Sequence, residues 1–245
     1  MSYSEDSKTG ESKSGSSSSH PSSVPSLSPL APSNMSAESD LSRMETTHVP
    51  RLVLRCKLAV VGDGGVGKSA LTQMMHSGGH LFPKNYVMTT SVDFCVAPVK
   101  IPETNATVEL YLYDTAGQSI FNQRELAAQH WNNTAFVMVV YDVSNRESFQ
   151  SVGKWLQAVR AVRPSAGYGP LPGVLVANKT DLREGGLSSR AVVDASEGLA
   201  LAQANGLEYF ETSALTGRDV ERPFNFVASQ FHGNYVSTME RARGV

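Results

Sequence analysis

From Arg51 onward, apolar runs of strand length alternate with stretches of helical spacing. The runs predict strands at about 53–61, 92–101, 106–114, 135–142, 173–178 and 207–212. The stretches between them predict helices near 68–77, 122–130, 146–163, 189–205 and 219–240. Pro223 is tolerable only near the start of the last of these. "KIPETNAT", between the second and third strands, reads as a hairpin connection and makes that pair antiparallel. The other links are long enough for right-handed crossovers. The pattern therefore predicts an α/β fold: a six-stranded, mostly parallel sheet with one antiparallel pair, covered by helices on both faces. Ligands are expected at the C-terminal ends of its strands. In the last helix Val220, Phe224, Val227, Phe231 and Tyr235 form a stripe toward the core. Phe226 falls on the other side, either as an ordinary exposed residue or as a partner contact.

The first strand runs into "LAVVGDGGVGKSALTQ", residues 58–73, where Gly62, Gly64, Gly65 and Gly67 crowd into six positions. Gly62, four residues, then Gly67-Lys68-Ser69 fits the phosphate-binding loop of NTPases. The backbone there must wrap an anion with its N–H groups inward, and the helix N-terminus adds partial positive charge. In that pattern Lys68 reaches the β- and γ-phosphates and the Ser69 hydroxyl ligates Mg2+. The competing reading is a chance glycine-rich turn between strand and helix.

Three further stretches fall at strand ends. In "YDTAGQ", residues 113–118, Asp114 closes an apolar strand where a carboxylate can hold Mg2+. Gly117 would offer an N–H to a γ-phosphate and Gln118 would orient an attacking water. "VLVANKTDL", residues 174–182, delivers Asn178, Lys179 and Asp181 to one rim. A carboxylate accepts two hydrogens from adjacent donors, as guanine N1–H and its amino group present them, and adenine does not. An N-capping Asn or Asp at a strand–helix loop would look the same. In "EYFETSAL", residues 208–215, a backbone N–H near Ser213 and Ala214 would meet guanine O6. Four such stretches, in this order and each after a strand, point to a guanine nucleotide.

The ordered set "GDGGVGKS", "DTAGQ", "NKTD" and "ETSA" resembles the Ras superfamily of small GTPases over roughly residues 52–240. "YDVSNRESFQSVGKWLQAVR" and "TTSVDF" are most similar to its Rab and Rab-like branch. "HLFPKNYVMTTSVDF", "GVLVANKTDL" and "RPFNFVASQF" look like the Rab-like subunits of intraflagellar transport trains. The resemblance implies a three-layer small-GTPase fold that holds GTP or GDP with Mg2+. It implies a phosphate loop of Gly62, Asp63, Gly64, Gly65, Val66, Gly67, Lys68, Ser69 and Ala70. Phe82 matches the aromatic on the base, with a core position as its alternative, and Tyr86 matches a switch I tyrosine. Thr89 matches the Mg2+-ligating threonine that senses the γ-phosphate, and Thr90 is the other alignment. Ser69, Thr89 and Asp114 are then the metal set, and Lys68 and Gln118 the catalytic pair, with slow intrinsic hydrolysis. Leu215 stands where relatives carry lysine, and "HSGGHLF" is two residues longer than usual before Phe82. "RPSAGYGPLPG", residues 163–173, is a long loop without an assigned purpose. The partners implied are a small β-sandwich subunit of the transport train, the larger complex, and an effector, exchange factor and activator of unnamed identity. The compartment implied is cytoplasm and cilium or flagellum.

Composition adds limits. Serine makes up more than a third of the first 42 positions, with Pro21, Pro25, Pro29 and Pro32 among them. Such a segment buries too little apolar surface to offset its ordering entropy, which divides the chain into a disordered tail over 1–50, a domain over 51–241 and a short tail over 242–245. Net charge is −2 over 245 residues, which gives no field for nucleic acid or an anionic membrane. The two cysteines, Cys56 and Cys95, make a disulfide scaffold an unlikely design and suit a reducing cytoplasm. His76 and His80 lack a third ligand nearby, so no histidine metal site is expected. Neither end carries a prenylation or myristoylation pattern, and the expectation is that protein contacts rather than a lipid hold it in place. Three other readings stay open: a scaffold whose nucleotide only supports the fold, a vesicle-traffic Rab-like switch, and a P-loop ATPase or nucleotide kinase, which "NKTD" disfavours.

Overall fold

Two strands owe their place to being apolar up to their last residue. Phe136–Asp142 and Gly173–Asn178 are buried at every residue, as central strands of a sheet covered on both faces must be. In a computed structural model, which describes residues 51–79, 82–83, 88–117, 129–162, 169–184 and 190–244, these are β4 and β5. The others are β1 (Leu52–Val61), β2 (Val92–Lys100), β3 (Ala106–Thr115) and β6 (Glu208–Glu211). The order across the sheet is β2-β3-β1-β4-β5-β6, and among these pairings only β2 with β3 is antiparallel. The predicted architecture is the observed one.

The helices that cover the sheet include α1 (Lys68–His76), α2 (Arg146–Gln150), α3 (Val152–Ala161), α4 (Ala195–Asn205) and α5 (Glu221–Arg243), and a 3-10 turn spans Thr180–Arg183. One face of the sheet packs Leu58, Leu110 and Met138 against Leu71 of α1 and Phe224 and Val227 of α5. The opposite face packs Ala59, Val139 and Leu175 against Trp155 and Leu156 of α3 and Ala202 of α4. Pro223 sits in the first turn of α5, where its missing N–H costs nothing. Phe226 is not a free surface residue: it packs on the core, its ring 5.6 Å from that of Phe210.

Two boundaries differ from expectation. The single helix over 146–163 is interrupted at Ser151. The break is slight, since Ser151 keeps right-handed angles and the bonds Ser151 N–H to Glu147 O (3.0 Å) and Trp155 N–H to Ser151 O (3.1 Å) span it. The fourth helix starts at Ala195 rather than 189. Asp194 and Glu197 form a capping box there, and just before it Val192 and Val193 donate to Val143 O. Of the helix expected near 122–130, residues 122–128 lie outside the described residues, as do the segment 1–50 and most of the 163–173 loop.

Register carries the strand ends to one rim. Val60 pairs with Asp114, Val61 with Val139, and Asp142 with Asn178. β1 and β3 thus finish level with each other, and β4 and β5 finish level with each other three residues further on. No helix of the described residues is long and apolar enough to cross a membrane.

Candidate nucleotide site

At that rim opens a cavity of about 610 Å³. Its wall takes Gly64, Gly65, Gly67, Lys68, Ser69 and Ala70 from the glycine loop and the start of α1. Phe82, Thr89 and Gly117 close one side, and Asn178, Lys179, Asp181, Ala214 and Leu215 the other. Five predicted residues stand behind the wall, each joined to it by a hydrogen bond. Gly62 O and Asp63 O accept from Lys68, Val66 O from Asn178, Asp114 from Ser69, and Asp181 from Ser213. Tyr86 and Gln118 lie outside the described residues.

The loop is built to present amide groups. Gly67 caps α1 in the left-handed region (φ 99, ψ 21), no side chain caps the helix, and its first turn holds no acid. A Cβ on Gly67 would also run into the Asn178 amide. Lys68 is 6% exposed, and its Nζ donates to Gly62 O at 2.8 Å and Asp63 O at 2.9 Å. Burial draws its pKa down from 10.5 to about 8, against the pull of Asp114 and Asp63. This is a cation folded onto its own loop.

Next to it three oxygen donors converge. Ser69 Oγ donates to Asp114 Oδ2 and lies 3.0 Å from Thr89 Oγ1. Thr90 is exposed, so Thr89 is the threonine that reaches the cluster. Asp114 is 3% exposed, and its Oδ1 is buried without a hydrogen-bond partner. Burial raises its pKa, opposed by the Ser69 bond and by Lys68. An all-oxygen set with a buried, unsatisfied carboxylate oxygen suits a hard divalent cation such as Mg2+. Among the described residues no group of three or more His, Cys, Asp or Glu could hold a metal, so further ligands would have to come from elsewhere. Gly117 packs so near the loop that a Cβ on it would overlap the Gly64 nitrogen.

The far end is knitted by side chains. Asn178, 1% exposed, donates from Nδ2 to Val66 O at 2.8 Å. Its Oδ1 accepts from Thr212 Oγ1 and from Ala214 N–H, both at 3.2 Å. Asp181 Oδ1 accepts from Ser213 Oγ at 2.5 Å. Lys179 is left-handed (φ 64), and its ammonium meets Asp142 Oδ2 at 2.7 Å. Phe82 is 41% exposed and Leu215 62%, both on the wall; the core alternative for Phe82 is overturned.

Sequence reasoning missed Asp142, Thr212, Met88 and Leu182. Asp142 had a signal: it ends an apolar strand as Asp114 does. Thr212 lies inside "ETSA", and its role as a donor to Asn178 depends on a strand that is distant in sequence.

Comparisons with known proteins bear on this geometry. The Ras family profile matches residues 57–233. The chain is 44% identical over 183 residues to intraflagellar transport protein 27 of Chlamydomonas reinhardtii, covering 74% of this chain and 86% of that one. To the human intraflagellar transport protein 27 homolog it is 41% identical over 195 residues, 80% of this chain and 98% of that one. To the Ras-related protein RABE1e of Arabidopsis thaliana it is 31% identical over 172 residues, 70% of this chain and 72% of that one.

Proposed function

The chain belongs to the Ras family of small GTPases, and from that premise we propose that it is a Rab-like guanine-nucleotide switch acting in intraflagellar transport. The observation that carries the reading is one cavity with two chemically different ends. Lys68, Ser69, Thr89 and Asp114 gather at one, and the Asp181 carboxylate stands at the other beside Ala214. A guanine nucleotide is long enough to use both.

In this reading the amides of Gly62–Ala70 and the Lys68 ammonium bind the phosphates. Lys68 leaves its two loop carbonyls to do so. Ser69, Thr89 and Asp114 would hold Mg2+, which when bound neutralises charge on the phosphate oxygens. Asp181 accepts from the guanine N1–H and amino group, Phe82 and Leu215 cover the base, and Gly117 meets the γ-phosphate with its N–H. Gln118 orients the hydrolytic water, and turnover without an activator is slow. Work would be done through protein contacts: a small β-sandwich subunit, the larger train, and an effector, exchange factor and activator. The location is the cytoplasm and the cilium or flagellum.

A second reading keeps the nucleotide as a structural element of a scaffold subunit, and Leu215 in place of a lysine favours it. Release and identification of the nucleotide from purified protein, followed by single-turnover hydrolysis, separates the two. The switch reading expects GDP or GTP and a hydrolysis rate that falls on Gln118→Leu with affinity kept. Bound ATP would overturn the guanine assignment. GTP held unhydrolysed by both forms would favour the scaffold.

A further inference from the structure

The phosphate loop carries a carboxylate of its own, and something must keep it from the phosphates. Asp63 follows Gly62 in the loop, and its backbone oxygen accepts from Lys68. Its side chain is turned the other way. Trp155 Nε1–H, on α3, donates to Asp63 Oδ1 at 2.7 Å across 92 positions of sequence. Trp155 is fully buried, so the direction of its N–H is fixed by packing, while Asp63 at the other end of the bond is partly exposed. Trp131 meets Trp155 edge-on, with centroids 6.4 Å apart and planes at 77°. Its own Nε1–H donates to Thr115 Oγ1 at 3.1 Å, beside Asp114. These are the only two tryptophans of the chain. Trp155 spends its one donor on a residue of the glycine loop, and Trp131 spends its own on the residue after Asp114.

We propose that Trp155 is a positioning residue of the phosphate loop: its indole N–H holds the Asp63 carboxylate back against α3, and so lets a loop with a built-in negative charge accept a polyphosphate. The inference rests on the guanine-nucleotide reading above. Trp155 acts through Asp63 and need not touch the ligand. Without the indole N–H, the carboxylate loses its anchor and is free to compete for Lys68 or to face the phosphates. The penalty then grows with the charge of the ligand. A defect of packing alone would weaken every nucleotide alike.

The test is a set of affinities for GMP, GDP and GTP in the wild type, Trp155→Phe, Asp63→Ala and the double variant, at low and high salt. Trp155→Phe should weaken GTP by about tenfold, the size of one lost charge-assisted hydrogen bond, with a clearly smaller change for GMP. Added salt should narrow the gap. Asp63→Ala placed on Trp155→Phe should recover most of the loss, because the stray charge is gone even though the indole is still missing. The recovery keeps the test meaningful if Trp155→Phe also lowers thermal stability. Equal weakening of all three nucleotides, or no recovery in the double variant, would overturn the proposal while wild-type binding upheld the nucleotide reading. A wild type that binds none of the three would sink both.

Discussion

The two ends of the cavity satisfy their polar groups in opposite ways. At the base end Asn178, Thr212, Ser213 and Asp181 bond to one another and to backbone, so the recognition surface is assembled from within the protein. At the phosphate end Lys68 rests on loop carbonyls and Asp114 keeps a buried oxygen without a partner. The first arrangement is preorganised and loses little when it binds. The second holds charge whose cost a ligand would relieve. In the nucleotide reading, recognition of the base and response to the phosphates would thus be separate problems, solved on different strands.

Breaking the knitted end should have the largest effect. Asn178→Ala strands Val66 O and the Ala214 N–H in a buried site, and a loss of about 2–4 kcal/mol is expected from denaturant midpoints. A loss too small to measure would mean that the base end is not preorganised.

The phosphate end should betray itself through pH. Between about 8, the folded value for Lys68, and 10.5, its ordinary value, the unfolded chain binds a proton that the folded chain has released. Stability of ligand-free protein should therefore rise with pH across that window, by up to roughly 3 kcal/mol relative to Lys68→Met. Saturating GDP should flatten the difference, because the phosphates give the ammonium its counter-charge. Parallel curves for both proteins would remove the stored cost.

Specificity comes next in size. Asp181→Asn keeps an acceptor for Ser213 but meets guanine with one mismatched group, so GTP should weaken about tenfold to a hundredfold. Xanthine nucleotides should gain over the same variant. The smallest change is expected at Leu215, 62% exposed on the wall, where Leu215→Lys should tighten GTP only a few-fold, as an exposed polar contact does. A large gain there would show that the base end is short of a contact after all.

What was legible in the sequence tracks how local each feature is. The sheet could be read because β4 and β5 are apolar up to their last residue and the 100–107 hairpin is short. The loop, Asp114 and Asn178–Asp181 could be read because each is contiguous and follows a strand. Pairings across long stretches of chain could not. Lys179 with Asp142 and Trp155 with Asp63 depend on which strands end side by side and which helix lies over them. The start of α4 was misjudged for a local reason, since apolar Val192 and Val193 read as helix although their amides bond to Val143 O. Phe226 was misjudged because an ideal helical wheel ignores β6, whose Phe210 reaches it.

The left-handed glycine at the head of α1 has a consequence outside the cavity. A helix that spends no side chain on its own cap leaves that task to whatever anion arrives, and the anion becomes part of the secondary structure. Folding is then linked to ligand supply: a hundredfold excess over the dissociation constant adds about 2.7 kcal/mol of apparent stability. For a protein with that dependence, cellular lifetime follows the guanine-nucleotide pool as well as the sequence. In the nucleotide reading, a variant that releases its ligand faster should lose apparent stability, and with it abundance, as well as occupancy.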